Sequence, residues 1–134
     1  MISLDAMQQL LAPLFPGSMG VRVIELTPER VVAEMRVRPD LCTAGGILHG
    51  GAYMAFADAL GATGAVMNLE PGARTTTLES KTNFLRGAPV GSAIEGEAIP
   101  LHVGRRSSVW QTRITSADGK LMALVTQTQM TILP

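Results

Sequence analysis

The sequence predicts an α+β fold in which a curved antiparallel β-sheet wraps around one long, apolar α-helix. Residues 50–69 contain no proline, are rich in alanine and glycine, and carry a single charged side chain, Asp58. From residue 74 onward, apolar and polar residues alternate with period two in four segments separated by glycine-containing turns. The first pattern is typical of a buried helix and the second of strands in an antiparallel sheet.

The elements follow in the order helix, two strands, helix, four strands. Apolar residues at helical spacing predict a helix over residues 4–14 that stops at Pro13. Alternating segments at 21–26 and 30–39 predict two strands, and a glycine-rich loop leads into the helix at 51–67, which Pro71-Gly72 ends. The remaining strands are predicted at 74–86, 92–103, 107–116 and 120–133.

Length and composition indicate one domain, residues 1–134, that associates with copies of itself. Hydrophobic residues make up 46% of the chain and charged residues only 16%, so more apolar surface is expected than one small domain can hide. With 11 basic and 11 acidic side chains, the chain is neither a nucleic-acid binder nor a ligand of anionic membranes.

The same composition points to the cytoplasm. The single cysteine, Cys42, excludes an internal disulfide framework and fits a reducing compartment. The N-terminus has no basic region of the kind that opens a signal peptide, and Asp58 in the middle of the apolar run argues against a membrane span.

Asp58 is the first candidate for chemistry. A carboxylate in a small, apolar helix is costly unless it is paired or kept for a reaction. The structural interpretation is an acid that binds a backbone amide or an arginine. The functional interpretation is a general base or nucleophile at the wall of a cleft.

His49-Gly50-Gly51 stands at the predicted start of the same helix. Gly50 and Gly51 let a ligand approach the backbone, and the free amide of Gly51 could hold a developing oxyanion. Gly51 and Asp58 are separated by ~10 Å along one helix. That distance is too long for both to act on one carbonyl, so the pair predicts a dimer whose copies share each site.

Other polar residues give weaker signals. Cys42 and His49 could form a nucleophilic pair, but no third orienting group is apparent, and His102 is interpreted as structural. Arg105 and Arg106 precede Ser107 in a predicted turn, where they are either solvated or a clamp for a phosphorylated small molecule, with Arg86 a second basic candidate. No spacing of His, Cys, Asp or Glu predicts a metal site.

The segments GGILHGGAYMAFADALG, TTTLESKTNFLRGAPVGSAIEGEA and VGRRSSVWQTRIT resemble hotdog-fold acyl-CoA thioesterases of the phenylacetic acid degradation type. The specific element is HGG followed by an acid seven positions after its last glycine. The resemblance implies a hotdog fold, assembly as a homodimer and often a homotetramer, and hydrolysis of an acyl-CoA thioester. Coenzyme A is then part of the substrate, and no separate cofactor is expected.

The resemblance also implies roles for individual residues. Asp58 matches the catalytic carboxylate, Gly51 the amide that polarises the thioester carbonyl, and His49 a residue that orients the loop or the thioester. Thr77 matches a hydroxyl that reaches the site from the neighbouring subunit. Two loops, together with Gly50, are implied to bind coenzyme A, namely Phe84, Leu85, Arg86, Gly87, Ala88 and Pro89, and His102, Val103, Gly104, Arg105, Arg106 and Ser107.

Two positions depart from the pattern. Thr43 stands where many relatives have Asn or Gln to place the nucleophilic water, and Gly87 stands where proline is common. Two further functions remain open, a hotdog enoyl-CoA hydratase or dehydratase and a non-catalytic acyl-CoA-binding module. The acyl group is expected to be aromatic or of medium length, against an apolar lining of Tyr53, Met54, Phe56, Leu60 and Phe84.

Overall fold

A computed structural model describes residues 1–134 and has the predicted architecture, with one sheet curved around a central helix. All six strands pair antiparallel in the order β1-β2-β4-β5-β6-β3. The strands are β1 Arg22–Thr27, β2 Arg30–Arg36, β3 Arg74–Phe84, β4 Ala93–Val103, β5 Ser107–Ser116 and β6 Leu121–Ile132. The helices are α1 Leu4–Leu11, α2 Phe15–Ser18 and α3 Gly50–Val66.

The central helix α3 is buried on most sides by the concave face of the sheet. His49 is its N-cap, and Asn68 closes its last turn by donating from Nδ2 to the Gly64 carbonyl at 2.9 Å. One stripe of its surface is open or half-open to solvent, at helical spacing. The stripe consists of Gly50, Gly51, Met54, Ala55, Asp58, Ala59, Ala62 and Val66.

Glycines allow α3 and the sheet to approach closely. A Cβ on Gly64 would lie 2.5 Å from the ring of Trp110, and one on Gly61 would lie 2.3 Å from Gln127 Oε1. On the sheet side, a Cβ on Gly96 would lie 2.7 Å from the ring of Phe56. Real side-chain atoms do not approach so closely, so the helix–sheet spacing depends on these positions having no side chain.

The boundaries of several elements differ from the predictions. The N-terminal helix ends at Leu11, and a short helix that was not predicted, α2, begins at Phe15, with Pro16 in its first turn, where the fixed φ of proline is suitable. Strand β2 ends at Arg36 because Pro39–Leu41 forms a 3₁₀ turn, and β3 ends at Phe84 rather than residue 86. No helix combines the length and the hydrophobicity that a membrane crossing requires.

The two edges of the sheet are treated differently. The Gln8 side chain covers β1, since its Nε2 donates to the Val21 carbonyl and its Oε1 accepts from the Val23 amide. No such cover protects the 11-residue strand β3, where Leu78 lies at a register shift and is 61% exposed. A long, uncovered edge strand has backbone N–H and C=O groups that no neighbouring strand binds, and such an edge is the kind of surface that pairs with another chain.

The glycine packing makes a testable prediction about stability. We expect Gly64→Ala to lower the free energy of unfolding by about 1–2 kcal/mol, because the clash with Trp110 outweighs the gain in helix propensity. Urea denaturation measures the change. Gly45→Ala is the control, since its Cβ would meet only Thr43 Oγ1, at 3.6 Å. A Gly64→Ala protein as stable as wild type would contradict the close packing.

Candidate active site

The first turn of α3 presents one uncommitted backbone amide. The Gly51 N–H donates to His49 Nδ1 at 2.8 Å, and the Ala52 N–H donates to the His49 carbonyl at 2.9 Å. The Gly50 N–H donates to no backbone or side-chain acceptor. The amide predicted to bind an oxyanion, that of Gly51, is therefore engaged within the chain, and its neighbour Gly50 carries the free donor at the positive end of the helix.

The cap also fixes the tautomer of His49. A neutral imidazole has one nitrogen that accepts and one that donates. Because Nδ1 accepts from the Gly51 amide, the proton of the neutral ring lies on Nε2. The exposed His49 side chain thus presents an N–H donor beside the free Gly50 amide.

Asp58 is held on one oxygen by two side chains of its own chain. Thr77 Oγ1 donates to Asp58 Oδ1 at 2.6 Å, and Gln127 Nε2 donates to the same oxygen at 3.1 Å. The prediction that Thr77 serves the carboxylate from the neighbouring subunit is therefore wrong for this contact. Strand β3 runs beside α3 in the same chain, and this places Thr77 next to Asp58.

A second layer of polar groups supports Thr77. Gln129 Nε2 donates to Thr77 Oγ1 at 2.6 Å, and Thr75 Oγ1 donates to Gln129 Oε1 at 2.9 Å. Sequence reasoning missed both glutamines. The available signal was the alternation in residues 123–129, which puts them on the same face as Ala123 and Val125.

A cavity of about 350 Å³ lies between Gly50 and the first predicted coenzyme A loop. Its walls are Thr43, Ile47, Leu48, Gly50, Tyr53, Phe84, Leu85, Arg86 and Gly87. Tyr53 ties this loop to the helix by donating from its hydroxyl to the Arg86 carbonyl at 3.0 Å. Burial raises the pKa of the Tyr53 phenol, against a smaller opposing effect of a backbone hydrogen bond at Ala88, and keeps it a donor. Ala88 is buried, and Pro89 bridges to Ile47.

A second cavity, of about 440 Å³, lies on the other side of the same helix end. It is lined mainly by apolar groups from α2, the 3₁₀ turn and the first turns of α3, with Arg38 and Asp40 also in its wall. Cys42 and His49 both contribute, but Cys42 Sγ donates to the Arg38 carbonyl and His49 Nδ1 binds Gly51. The two side chains therefore do not form a nucleophilic pair.

The second predicted coenzyme A loop, residues 102–107, lies at the opposite end of the sheet. Ser107 is in register with Thr76 through Met130, whereas Phe84 is at the other end of β3, ~26 Å away at 3.3 Å per residue. Within one chain the two loops are not brought together. His102, Arg105 and Arg106 are all exposed.

Several residues expected to line the acyl site belong to the core instead. Phe56 and Leu60 are 0% and 1% exposed and pack against the sheet at Gly96. Tyr53 is also buried apart from its contact with the loop. Only Met54 and Phe84 of that set are exposed. The expectation failed for the other three residues because the sequence of α3 alone does not tell which face of the helix meets the sheet.

Comparison with known proteins agrees with this architecture. The Thioesterase superfamily model matches residues 45–123, more than half of the chain. The chain is 29% identical over 120 residues to the 1,4-dihydroxy-2-naphthoyl-CoA hydrolase of Escherichia coli, covering 90% of this chain and 88% of that protein.

Solved structures show the same fold. Thioesterase HI1161 from Haemophilus influenzae superposes with a TM-score of 0.93 at 26% identity, over 98% of this chain and 92% of that chain. A variant of the phenylacetic acid degradation protein PaaI from Thermus thermophilus superposes with a TM-score of 0.80 at 28% identity, over 87% and 96% of the two chains. The chain therefore belongs to the thioesterase superfamily, and it is a thioester hydrolase with the hotdog fold.

Proposed function

We propose that the protein hydrolyses aryl- or medium-chain acyl-CoA to the free acid and coenzyme A. The observation that carries this proposal is the Asp58 carboxylate, held by Thr77 and Gln127 on Oδ1 and free of protein partners on Oδ2. A carboxylate oriented in this way, on a helix whose first turn offers a free amide, supplies the two groups that thioester hydrolysis needs.

The Gly50 amide is the proposed donor to the thioester oxygen. Negative charge develops on this oxygen when the carbonyl carbon is attacked, and a preformed N–H at a helix N-terminus stabilises it. The Gly51 amide already donates to the N-cap residue His49, and this supports Gly50 as the donor to the thioester. The His49 Nε2–H is placed to assist beside it.

Each site is proposed to combine two copies of the chain. Gly50 and Asp58 are ~12 Å apart along α3, too far to act on one carbonyl. Pairing of the uncovered β3 edge with its own copy would run the two strands antiparallel. The start of one strand, near Thr77 and Asp58, would then lie toward the end of the other, near Phe84 and Gly50. A homodimer is the minimal unit, and a homotetramer would pair such dimers.

The same pairing explains the two coenzyme A loops. Residues 84–89 of one copy would face residues 102–107 of the other, although the two lie at opposite ends of one chain. Arg105 and Arg106 then suit the phosphates, while the cavity beside Gly50 suits the pantetheine arm. Coenzyme A leaves as product, so no further cofactor enters the proposal.

Asp58 Oδ2 is proposed to act on the thioester bound to the facing copy. It either takes a proton from a water that attacks the carbonyl carbon, or attacks that carbon itself to give a mixed anhydride that water then hydrolyses. In both routes the C–S bond breaks and the coenzyme A thiolate leaves. Thr43, whose Oγ1 accepts from the Gly45 amide at 3.2 Å, is the polar side chain that the preceding loop contributes to the wall of the cavity beside Gly50.

The apolar cavity of about 440 Å³ is the proposed acyl site. It adjoins Gly51 and Ala52, on the far side of the helix end from the coenzyme A loop, so an acyl group continuing past Gly50 would enter it. Its size and apolar walls suit an aromatic ring or a medium-length chain.

The first test of the proposal is thiol release from a panel of aryl-, short- and medium-chain acyl-CoAs. We expect release with wild type and a loss of at least about 10³-fold in kcat for Asp58→Asn, because the amide neither accepts a proton nor attacks. Coenzyme A binding measured by calorimetry should change little. Turnover of Asp58→Asn near the wild-type rate would overturn the mechanism. Ester binding without thiol release by wild type would favour a binding module instead.

A second prediction isolates the Gly50 amide. Gly50→Pro removes the N–H that the proposal uses and adds a ring, while the backbone is expected to keep its conformation, since proline suits a first helical position and His49 already has the extended backbone that precedes proline. We expect kcat to fall about 10²–10³-fold. Gly50→Ala is the matched control, because it adds a Cβ against Phe84 but keeps the N–H. Equal activity of the two variants would rule out this amide as the donor.

A third prediction concerns the shared site. When chains carrying Asp58→Asn and chains carrying Gly50→Pro form mixed dimers, one of the two sites has both groups intact. Purified mixed dimers should therefore have roughly half of wild-type activity, because one of their two sites is intact. Differently tagged chains, co-expressed and purified through both tags, provide the sample. Mixed dimers without activity would place Gly50 and Asp58 of each site in one chain.

A further inference from the structure

Two buried glutamines on strand β6 are unusual in their position. Gln127 and Gln129 are each 1% exposed, and they continue the inward face formed by Ala123 and Val125. A buried amide is unfavourable unless its polar atoms are paired. Apolar side chains at these two positions would stabilise the packing of the sheet more than glutamines do. The contacts that the glutamines make therefore indicate what they are used for.

Those contacts converge on Asp58. Thr75 donates to Gln129, Gln129 donates to Thr77, and Thr77 donates to Asp58 Oδ1, at 2.9, 2.6 and 2.6 Å. Gln127 donates to the same Oδ1 from the next inward position of β6, at 3.1 Å. The two donors that reach the carboxylate, Thr77 and Gln127, both bind Oδ1, and no donor of the network reaches Oδ2.

We propose that Gln127 is a positioning residue for the hydrolysis, which holds Asp58 so that Oδ2 alone faces the thioester, and that Gln129 supports it through Thr77. This inference rests on the proposed function of Asp58. A carboxylate with no hydrogen bond from Gln127 would turn about its Cβ–Cγ bond with only Thr77 to restrain it. Orientation of a reacting group is a large part of catalysis, so a loss of this restraint should appear in kcat.

The space that the Gln127 side chain occupies depends on a glycine in α3. A Cβ on Gly61 would lie 2.3 Å from Gln127 Oε1, so the side chain fits only because α3 has a glycine above it. The same Oε1 is buried without a hydrogen-bond partner. Gln127 therefore leaves one polar atom unsatisfied while its other polar atom serves Asp58. An apolar side chain of similar length would relieve that penalty.

This gives a test in which activity and stability move differently. Gln127→Met keeps the length of the side chain and removes the donor. We expect kcat for the best acyl-CoA to fall roughly 100-fold with KM within about twofold of wild type. We also expect the thermal midpoint to stay the same or rise, because the unpaired buried oxygen is removed. A residue with only a structural role would lower the midpoint and leave kcat unchanged.

Matched variants complete the experiment. Gln111→Met on β5 is the control, since Gln111 is in register with Thr126 on the outer face of the sheet, and its kcat should be that of wild type. Gln129→Met tests the second arm independently and is expected to lower kcat by a smaller factor. Wild-type kcat in Gln127→Met would overturn the positioning role of Gln127, and wild-type kcat in Gln129→Met would overturn the supporting role of Gln129.

Asp58→Asn, measured on the same ester, separates this inference from the proposed function. If Asp58→Asn is inactive while Gln127→Met keeps the wild-type kcat, only the positioning role fails. If Asp58→Asn keeps its turnover, the proposed function fails first.

Discussion

The close approach of α3 to the sheet is the constraint on which the rest of the site depends. Gly61 and Gly64 let the helix lie directly on Gln127 and Trp110, and Gly96 admits the Phe56 ring from the sheet side. A helix held further away would leave Asp58 beyond reach of Thr77 and Gln127, whose donors lie within 3.1 Å of it. The glycines thus let the buried Gln127 side chain contact the Asp58 carboxylate, and both groups are held by the tightly packed core.

Much of the fold was predictable because its patterns are local. The period of two from residue 74 onward, and the proline-free run that contains Asp58, each specify an element without knowledge of its neighbours. The boundaries moved where one residue overrides a pattern, as Pro39 does at the end of β2. Helix α2 was missed because four residues carry no period that could be recognised.

The site was predictable only where one segment contains it. His49, Gly50, Gly51 and Asp58 belong to a single loop and helix, and their grouping follows from the sequence. The sequence does not tell which of the two glycine amides is free, because the rotamer of His49 decides which amide its Nδ1 accepts from. Gln127 and Gln129 are 69 and 52 residues away from Asp58 and Thr77, their respective partners. Strand alternation places them inside, but only the packing of α3 on β6 brings Gln127 to Asp58, and only the pairing of β3 with β6 brings Gln129 to Thr77.

Because the proposed oxyanion donor, Gly50, and the carboxylate, Asp58, lie on the same rigid helix, they are held at a fixed distance from each other. No rotamer of Asp58 closes a gap of ~12 Å along the axis, and a bend would need a cause that α3, with no proline, lacks. In the proposed dimer a two-fold axis would remove the difficulty without deforming the helix, because it would set the start of one helix against the middle of its copy. It would do so twice, since the contact is symmetric. In the proposed dimer a second copy would cover the exposed stripe of α3, which explains why Asp58 is the one charged residue there, since its substrate would be held by the other chain.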